Sequence, residues 1–189
     1  LYPYLVNPRD EFGETALVYV REGDYRILLE KVSAFHNFKF SPTVGSKYVM
    51  WAGAGGRGFL AFAHTEEQSR QLTPYTTTER KKMMRDLYFT CKYGYCYCEN
   101  EYQEGFSSIA GPVLDNTNSI LCTMAVTGPT ARFKSDILEG LKQRIPEYCL
   151  EISKTFGWTE NLTEPGLMFR SPSFKNIISE LEEDITSRP

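Results

Sequence analysis

The sequence IAGPVLDNTNSILCTMAVTGP, residues 109–129, decides the fold of this chain. Its two apolar runs, 109–114 and 120–126, flank a short segment of Asp, Asn, Thr and Ser. Two apolar runs joined by a short polar segment predict an antiparallel β-hairpin. An acidic segment, Glu-Asn-Glu at 99–101, lies before the hairpin, and Thr-Gly-Pro at 127–129 ends its second strand.

Two more strands and two helices are predicted upstream of this hairpin. Residues 16–21 and 25–33 are rich in Val, Tyr, Ile and Leu and are separated by Glu-Gly-Asp, a composition typical of hairpin turns. Residues 52–63 begin with small side chains and continue with Phe and Leu, which predicts a loop that becomes a helix. A longer amphipathic helix is expected between Thr78, a suitable N-cap, and Gly94, a suitable terminator.

The last third of the chain is predicted to be mainly helical. Residues 135–156 carry apolar side chains at close to helical spacing. Pro146 falls inside this segment, so either the helix kinks there or a second helix begins with Pro in its first turn. A final amphipathic helix, 174–185, follows a linker with Pro and Gly at 164–166. Its apolar stripe predicts packing on its own domain, with a dimer contact as the alternative.

The order of these elements predicts the fold class. Strands come first, helices lie between and after them, and a hairpin is central. This order predicts an α/β sandwich built on an antiparallel sheet.

Length and composition limit the class of protein. A chain of 189 residues predicts one domain that buries roughly 70% of its unfolded surface. With a net charge of −3, this part of the protein is not expected to bind nucleic acid. No apolar run approaches the roughly 18 residues that span a bilayer, and no signal peptide opens the chain. We therefore expect a cytoplasmic protein without a membrane partner. Leu1 in place of an initiator Met indicates a piece of a longer chain.

The order of short motifs along the chain is more specific than any one of them. Gly-Glu-Thr at 13–15 precedes an apolar strand, and WAGAGGRGFLA at 51–61 forms a box of small residues. The hairpin at 109–129 follows, and EISKTFG at 151–157 ends a helix. In this order and at this spacing, the motifs resemble the effector-binding domain of the IclR family of bacterial transcriptional regulators.

The resemblance implies a fold and a domain organisation. The fold would be the GAF/profilin-like α/β type, a curved antiparallel sheet with helices packed on one face and one ligand pocket on the other. Residues 1–157 would form the effector-binding domain, and residues 158–189 a C-terminal extension with an amphipathic helix. A winged helix-turn-helix domain precedes this domain in the family and is absent from this chain. Operator DNA would be contacted only through that domain, and self-association as a dimer or tetramer is expected.

The small-residue box is the first candidate binding site. Glycines remove side-chain bulk where the start of a helix offers backbone N–H groups to an anion. From the residues alone, a tight turn or close packing of the helix on the sheet explains the glycines equally well. The resemblance places Ala54 and Gly55 where family members bring backbone amides to the effector. We therefore predict that Gly53, Ala54 and Gly55 bind the effector.

The resemblance adds residues from two other segments. Glu101 matches an acidic position near the family's pocket, although by itself it would be read as a solvated loop carboxylate. Thr123, Ala125 and Thr127 alternate along the second hairpin strand and therefore share one face. Family members often carry a hydroxyl where Ala125 stands. The effector is therefore expected to be less polar than a small oxoacid.

The residues before the small-residue box indicate the size and the chemical character of the effector. Tyr48, Met50 and Trp51 would form an aromatic and apolar wall that favours a larger or ring-containing ligand. The alternative is that these side chains are core residues. The predicted effector is a small organic acid or an aromatic metabolite, and no cofactor is expected.

The five cysteines give the main alternative. Cys91, Cys96 and Cys98 lie close in sequence, which suggests a metal site with His36 or His64 as the fourth ligand. Their spacing, however, differs from that of structural zinc sites. We predict reduced thiols without metal, as in cytosolic proteins. Neither histidine lies in a recognisable catalytic motif, so we predict that the domain is not an enzyme. The alternatives are a GAF-fold thiol enzyme resembling methionine sulfoxide reductase and a GAF-type sensor with another output.

Overall fold

A computed structural model of the chain describes residues 1–72, 74, 77–160, 171–172 and 174–186. The predicted linker at 164–166 therefore lies outside the described residues. In chain order the elements are α1 (Tyr2–Phe12), β1 (Thr15–Glu22), β2 (Tyr25–Val32), β3 (Lys47–Val49), α2 (Ala54–Phe62), α3 (Thr65–Leu72), α4 (Thr77–Tyr93), β4 (Cys96–Glu99), β5 (Phe106–Leu114), β6 (Ile120–Pro129), a 3₁₀ turn (Thr130–Arg132), α5 (Ser135–Thr155) and α6 (Phe174–Thr186).

The six described strands form one sheet in the order β3-β2-β1-β6-β5-β4. Every neighbouring pair is antiparallel, which confirms the predicted sheet and both predicted hairpins. The carboxylate of Asp115 orders the central hairpin loop, because it accepts hydrogen bonds from the backbone N–H groups of Thr117 and Ser119. Asn118 takes a positive φ of 65°, a conformation that Asn tolerates better than most residues.

Helices cover both faces of the sheet. Strand alternation divides the buried side chains into two clusters, because neighbouring residues of β6 such as Met124 and Ala125 point to opposite faces. One cluster packs against α1 and α5, and the other packs against α2, α4 and α6. The expectation of helices on one face only is therefore wrong. Both faces of the strands are rich in apolar side chains, and each needs a helical layer to exclude water.

The C-terminal helices follow the predicted pattern. Residues Ser135–Thr155 form one continuous helix that includes Pro146, so no second helix begins at that proline. Helix α6 packs on α4, where the rings of Phe174 and Tyr88 stack with centroids 5.8 Å apart. Ile177 of the same helix is fully buried. The apolar stripe of α6 thus contacts the domain that precedes it.

A buried ion pair ties the start of β1 to the end of β6. Glu14 is almost fully buried, and Arg132 binds both of its carboxylate oxygens. The Glu14 side chain passes directly over Gly128, where a Cβ atom would clash with it. Arg132 also donates to the backbone carbonyl of Phe38, which holds the loop after β2. This pair therefore joins three separate segments at one end of the sheet.

Replacing Arg132 with Ala is expected to lower the free energy of unfolding by about 3 kcal/mol, because the Glu14 carboxylate is left buried without its counter-charge. The matched control is Arg144→Ala, which removes exposed ion pairs with Glu11 and Glu147 and should cost less than about 1 kcal/mol. Urea denaturation of the three proteins measures both losses. Equal losses in the two variants would contradict a special contribution from the buried pair.

Candidate functional site

A pocket lies at the start of α2, between that helix and the middle of the sheet. Its walls come from β1, β2, β3, β5 and β6 and from the loop between β4 and β5. The space between the walls has a volume of about 30 Å³. The lining residues are Tyr19, Arg26, Phe40, Tyr48, Gly53, Ala54, Gly55, Cys98, Glu101, Tyr102, Gln103, Phe106, Ser107, Ser108, Ala125 and Thr127.

Two glycines allow the helix to start at this wall. Gly53 is the N-cap of α2 and has a φ of 77°, a conformation that L-residues rarely adopt. Gly56 faces the backbone carbonyl of Met50, and any Cβ atom there would clash with it. The small-residue box thus serves the tight turn and the close packing, and it also brings the helix N-terminus to the pocket.

Backbone and hydroxyl groups supply hydrogen-bonding capacity at this wall. The first N–H groups of a helix have no intrahelical acceptor and carry a partial positive charge. The N–H of Ala54 donates to the Ser108 hydroxyl at 3.3 Å, close to the limit for such a bond. Thr127 lies on the adjacent strand and also borders the pocket. These groups can bind an anionic or hydrogen-bonding ligand.

Arg26 brings a full positive charge to the same wall. Only 3% of its surface is exposed, and one Nη donates to the backbone carbonyl of Val49 at 2.5 Å. The Nε is buried and has no hydrogen-bond partner among the described residues. The guanidinium carbon lies 5.0 Å from the ring centroid of Tyr19 and 5.5 Å from that of Tyr48. Burial holds the pKa of Arg26 below its ordinary value, although arginine remains charged in proteins.

Glu101 reaches the pocket from the opposite side and is already paired. It lies 2.7 Å from Nη2 of Arg57 and 2.9 Å from Nζ of Lys82, and Arg57 also binds Asp86. Burial acts to raise the pKa of Glu101. The charge of Arg57 and the hydrogen bond from Lys82 outweigh this effect, so the pKa of Glu101 lies below its ordinary value. The network connects the pocket wall to α2 and α4.

The structure brings together six of the nine predicted site residues and leaves three outside the pocket wall. The six are Gly53, Ala54, Gly55, Glu101, Ala125 and Thr127. Met50 is a buried core residue, and Thr123 lies beneath α2 against Gly58. Trp51 is 41% exposed and borders a separate surface groove with Glu79 and Lys82. Residues 50 and 51 lie outside because the chain turns at Gly53 and directs the preceding side chains away from the pocket.

The sequence predictions named only Tyr48 of the aromatic wall, and they missed Arg26. Among the described residues the wall consists of Tyr19, Phe40, Tyr48, Tyr102 and Phe106, which come from three strands and two loops. Their convergence depends on strand order, which one sequence does not reveal. Arg26 could have been recognised from the sequence, because strand alternation places it on the same inward face as Leu28. An arginine at an inward strand position is unusual unless it has a partner.

The cysteines show no sign of a metal centre. Among the described residues no group of three or more His, Cys, Asp or Glu side chains is placed to hold a metal ion. The Sγ atoms of Cys96 and Cys98 are 3.7 Å apart, and Cys98 borders the pocket. Its hydrogen bond to Cys96 and its burial raise the pKa of the Cys98 thiol. Burial likewise raises the pKa of Cys91 to about 12.

No helix among the described residues has the length and apolar character needed to cross a membrane.

Comparison with known proteins places this geometry in a family. Two curated relatives are the HTH-type transcriptional regulator KipR of Bacillus subtilis and the transcriptional repressor IclR of Escherichia coli K12. KipR is 23% identical over 157 residues, which cover 79% of this chain and 63% of KipR. IclR is 24% identical over 167 residues, which cover 83% of this chain and 61% of IclR. The chain thus spans about three fifths of the length of these relatives.

The fold comparison agrees with the sequence comparison. The crystal structure of the Thermotoga maritima IclR superposes with a TM-score of 0.75 at 21% identity, covering 83% of this chain and 67% of that protein. Residues 2–154 match the family model described as "Bacterial transcriptional regulator IclR C-terminal". This match covers most of the chain and contains every pocket-lining residue. The chain therefore belongs to the IclR family of bacterial transcriptional regulators, as its C-terminal domain.

Proposed function

We propose that this domain senses a small organic effector and is the regulatory part of a DNA-binding transcriptional regulator. One observation carries the proposal: a helix N-terminus, the hydroxyl-bearing Ser108 and Thr127, and an aromatic wall converge on one pocket inside the family-matched region. Such a small number of polar groups in a mostly apolar cleft is typical of small-molecule sites. The relatives are named as transcriptional regulators, which supports a regulatory rather than an enzymatic role.

The dimensions of the pocket favour a small organic acid over an aromatic metabolite. A volume of about 30 Å³ accommodates roughly two water molecules. The aromatic side chains fill the site rather than enlarge it. A ring-containing ligand requires one of them to move, and Tyr102 is the candidate with the fewest packing constraints because half of its surface is exposed. No cofactor takes part in this proposal.

The ion-pair network offers a way to transmit binding. Glu101 borders the pocket and is tied to Arg57 on α2 and to Lys82 on α4. A ligand that binds one arrangement of α2 and Glu101 better than another shifts the population toward that arrangement. In the full-length protein this shift would reposition a DNA-binding domain and thereby change its affinity for an operator. Self-association as a dimer or tetramer and a cytoplasmic location belong to the same proposal.

A thermal-shift screen tests for an effector. At an effector concentration of 100 Kd, the expected stabilisation of about 2.7 kcal/mol corresponds to a rise in Tm of about 5–10 °C. The screen covers small oxoacids, aromatic acids, sugar acids and their neutral amides. Failure of every compound to raise Tm would contradict the proposal.

Ser108→Val tests whether the effector binds in this pocket. The substitution adds methyl groups to a very small space and removes the hydroxyl that contacts Ala54, so the ligand-induced rise in Tm should disappear. Ala54 itself is a poor target, because it is fully buried and a larger side chain there would disturb the core. The matched control is Ser41→Val, the same chemical change at an exposed position. Retained binding in Ser108→Val would place the effector elsewhere.

Thiol reactivity tests the alternative of a redox enzyme. All five cysteines are buried, and burial raises the pKa of Cys91 and Cys122 to about 12, so little thiolate is present near neutral pH. We expect the native protein to react negligibly with a thiol reagent such as DTNB at pH 7.5, and all five thiols to react after denaturation. Rapid modification of Cys98 in the native protein, with turnover of a sulfoxide substrate, would instead support thiol chemistry.

A further inference from the structure

We infer that Arg26 determines the charge of the effector: the pocket selects a ligand with one negative charge, a monocarboxylate placed between the guanidinium and the first turn of α2. Neutral analogues of the same shape are excluded. This inference rests on the proposed function, because it concerns the same pocket, and it adds the residue that distinguishes an acid from its uncharged counterpart.

The first argument is a comparison of two buried arginines in this domain. Arg26 and Arg57 are 3% and 5% exposed. Arg57 is paired with two carboxylates, Asp86 and Glu101. Arg26 has no ion pair among the described residues, and the charged or titratable groups that face it are three tyrosines and Cys98. A buried charge without a counter-charge is costly, and proteins retain such groups mainly at functional sites.

The tyrosines and the thiol do not neutralise Arg26. Burial raises the pKa of Tyr19 and of Tyr48, and the hydrogen bond to Cys96 together with burial raises that of Cys98. These groups are therefore neutral at physiological pH. Tyr19 shares a hydrogen bond with Arg26, and the rings of Tyr19 and Tyr48 add cation–π attraction, but none of these neutral groups supplies a negative charge.

The second argument is that Arg26 borders the pocket and keeps a donor without an acceptor among the described residues. A guanidinium has five N–H groups in a fixed plane. One Nη donates to the Val49 carbonyl, whereas the buried Nε has no acceptor among the described residues. The other Nη lies 3.6 Å from the position that a Cβ atom on Gly53 would occupy. It therefore lies beside the N-terminus of α2, and two positive electrostatic sources face the same small space.

The third argument is a count of charge around the pocket. Glu101 also borders the site, but it belongs to a cluster with Asp86, Arg57 and Lys82, which contains two acids and two bases. That cluster is neutral as a whole. Arg26 therefore leaves one positive charge unbalanced, which a monoanion neutralises. A dianion would bury a second unpaired charge, and a zwitterion would leave the imbalance in place.

The stability of the ligand-free protein distinguishes a ligand-binding role of Arg26 from a purely structural one. Arg26→Met removes an unmatched charge while keeping much of the side-chain volume, so the ligand-free protein should be as stable as wild type or more stable. Arg57→Met is the matched control and should be strongly destabilised, because it leaves the Asp86 carboxylate without its ion-pair partner and Glu101 with Lys82 alone. If Arg26 were only structural, both substitutions would lower Tm.

The binding experiment compares acids with their amides. Wild-type protein is titrated by calorimetry with acetate and acetamide, pyruvate and pyruvamide, benzoate and benzamide, and with malonate as a dianion. We expect at least one monocarboxylate to bind about 10- to 150-fold more tightly than its amide, the range of a hydrogen bond to a charged group. Arg26→Met should lose this preference, and Arg26→Lys should keep part of it, because charge is retained without the planar fork.

The possible results separate this inference from the proposed function. If an amide binds as tightly as its acid and Ser108→Val abolishes both, the pocket is a sensor site and the inference about Arg26 is wrong. If neither these probes nor any compound of the wider screen binds wild-type protein, the proposed function and this inference both fail. If Arg26→Met does not fold, the acid-to-amide ratio in wild type and in Arg26→Lys still decides the question.

Discussion

The close approach of α2 to the sheet is the constraint on which the rest of this structure depends. At Gly56 the helix comes so near the Met50 carbonyl that no side chain fits between them, and at Gly58 it lies against Thr123. This contact brings the first turn of the helix to the middle of β1, β5 and β6. The pocket exists because backbone donors, strand hydroxyls and aromatic rings meet there without intervening bulk.

The charges are arranged around the same helix. Arg57 leaves α2 on one side and connects Glu101 to Asp86 on α4, whereas Arg26 approaches the N-terminus of α2 from β2. One guanidinium is neutralised by protein carboxylates and the other is not. The first connects α2 to α4 and to the loop that carries Glu101, and its removal would leave the Asp86 carboxylate without its ion-pair partner. The second borders the pocket, where an anion that binds one conformation better than another would shift the population toward that conformation.

The sequence predicted the regular elements well wherever pattern and turn chemistry agreed. The central hairpin, the β1-β2 hairpin, α2 and α5 all have unambiguous periodicity with turn or cap residues at their ends. Helix α1 and the short strands β3 and β4 were not predicted. Helix α1 contains Pro8 and shows little amphipathic pattern, and β3 has only three residues. The position of the helical layers was predicted incorrectly, because strands with apolar residues on both faces do not reveal which layer a given helix joins.

The sequence by itself determined the family and the antiparallel sheet, because the order of the motifs, the turns and the strand alternation can be read along the chain. Tertiary structure alone decided the composition of the pocket. Tyr19 and Arg26 are distant in sequence from Tyr102 and Phe106, and the two pairs meet only through the order of the strands. Whether a buried arginine has a carboxylate partner is likewise a matter of three-dimensional proximity. The sequence does not distinguish Arg26 from Arg57, and among the described residues only Arg57 has a carboxylate partner.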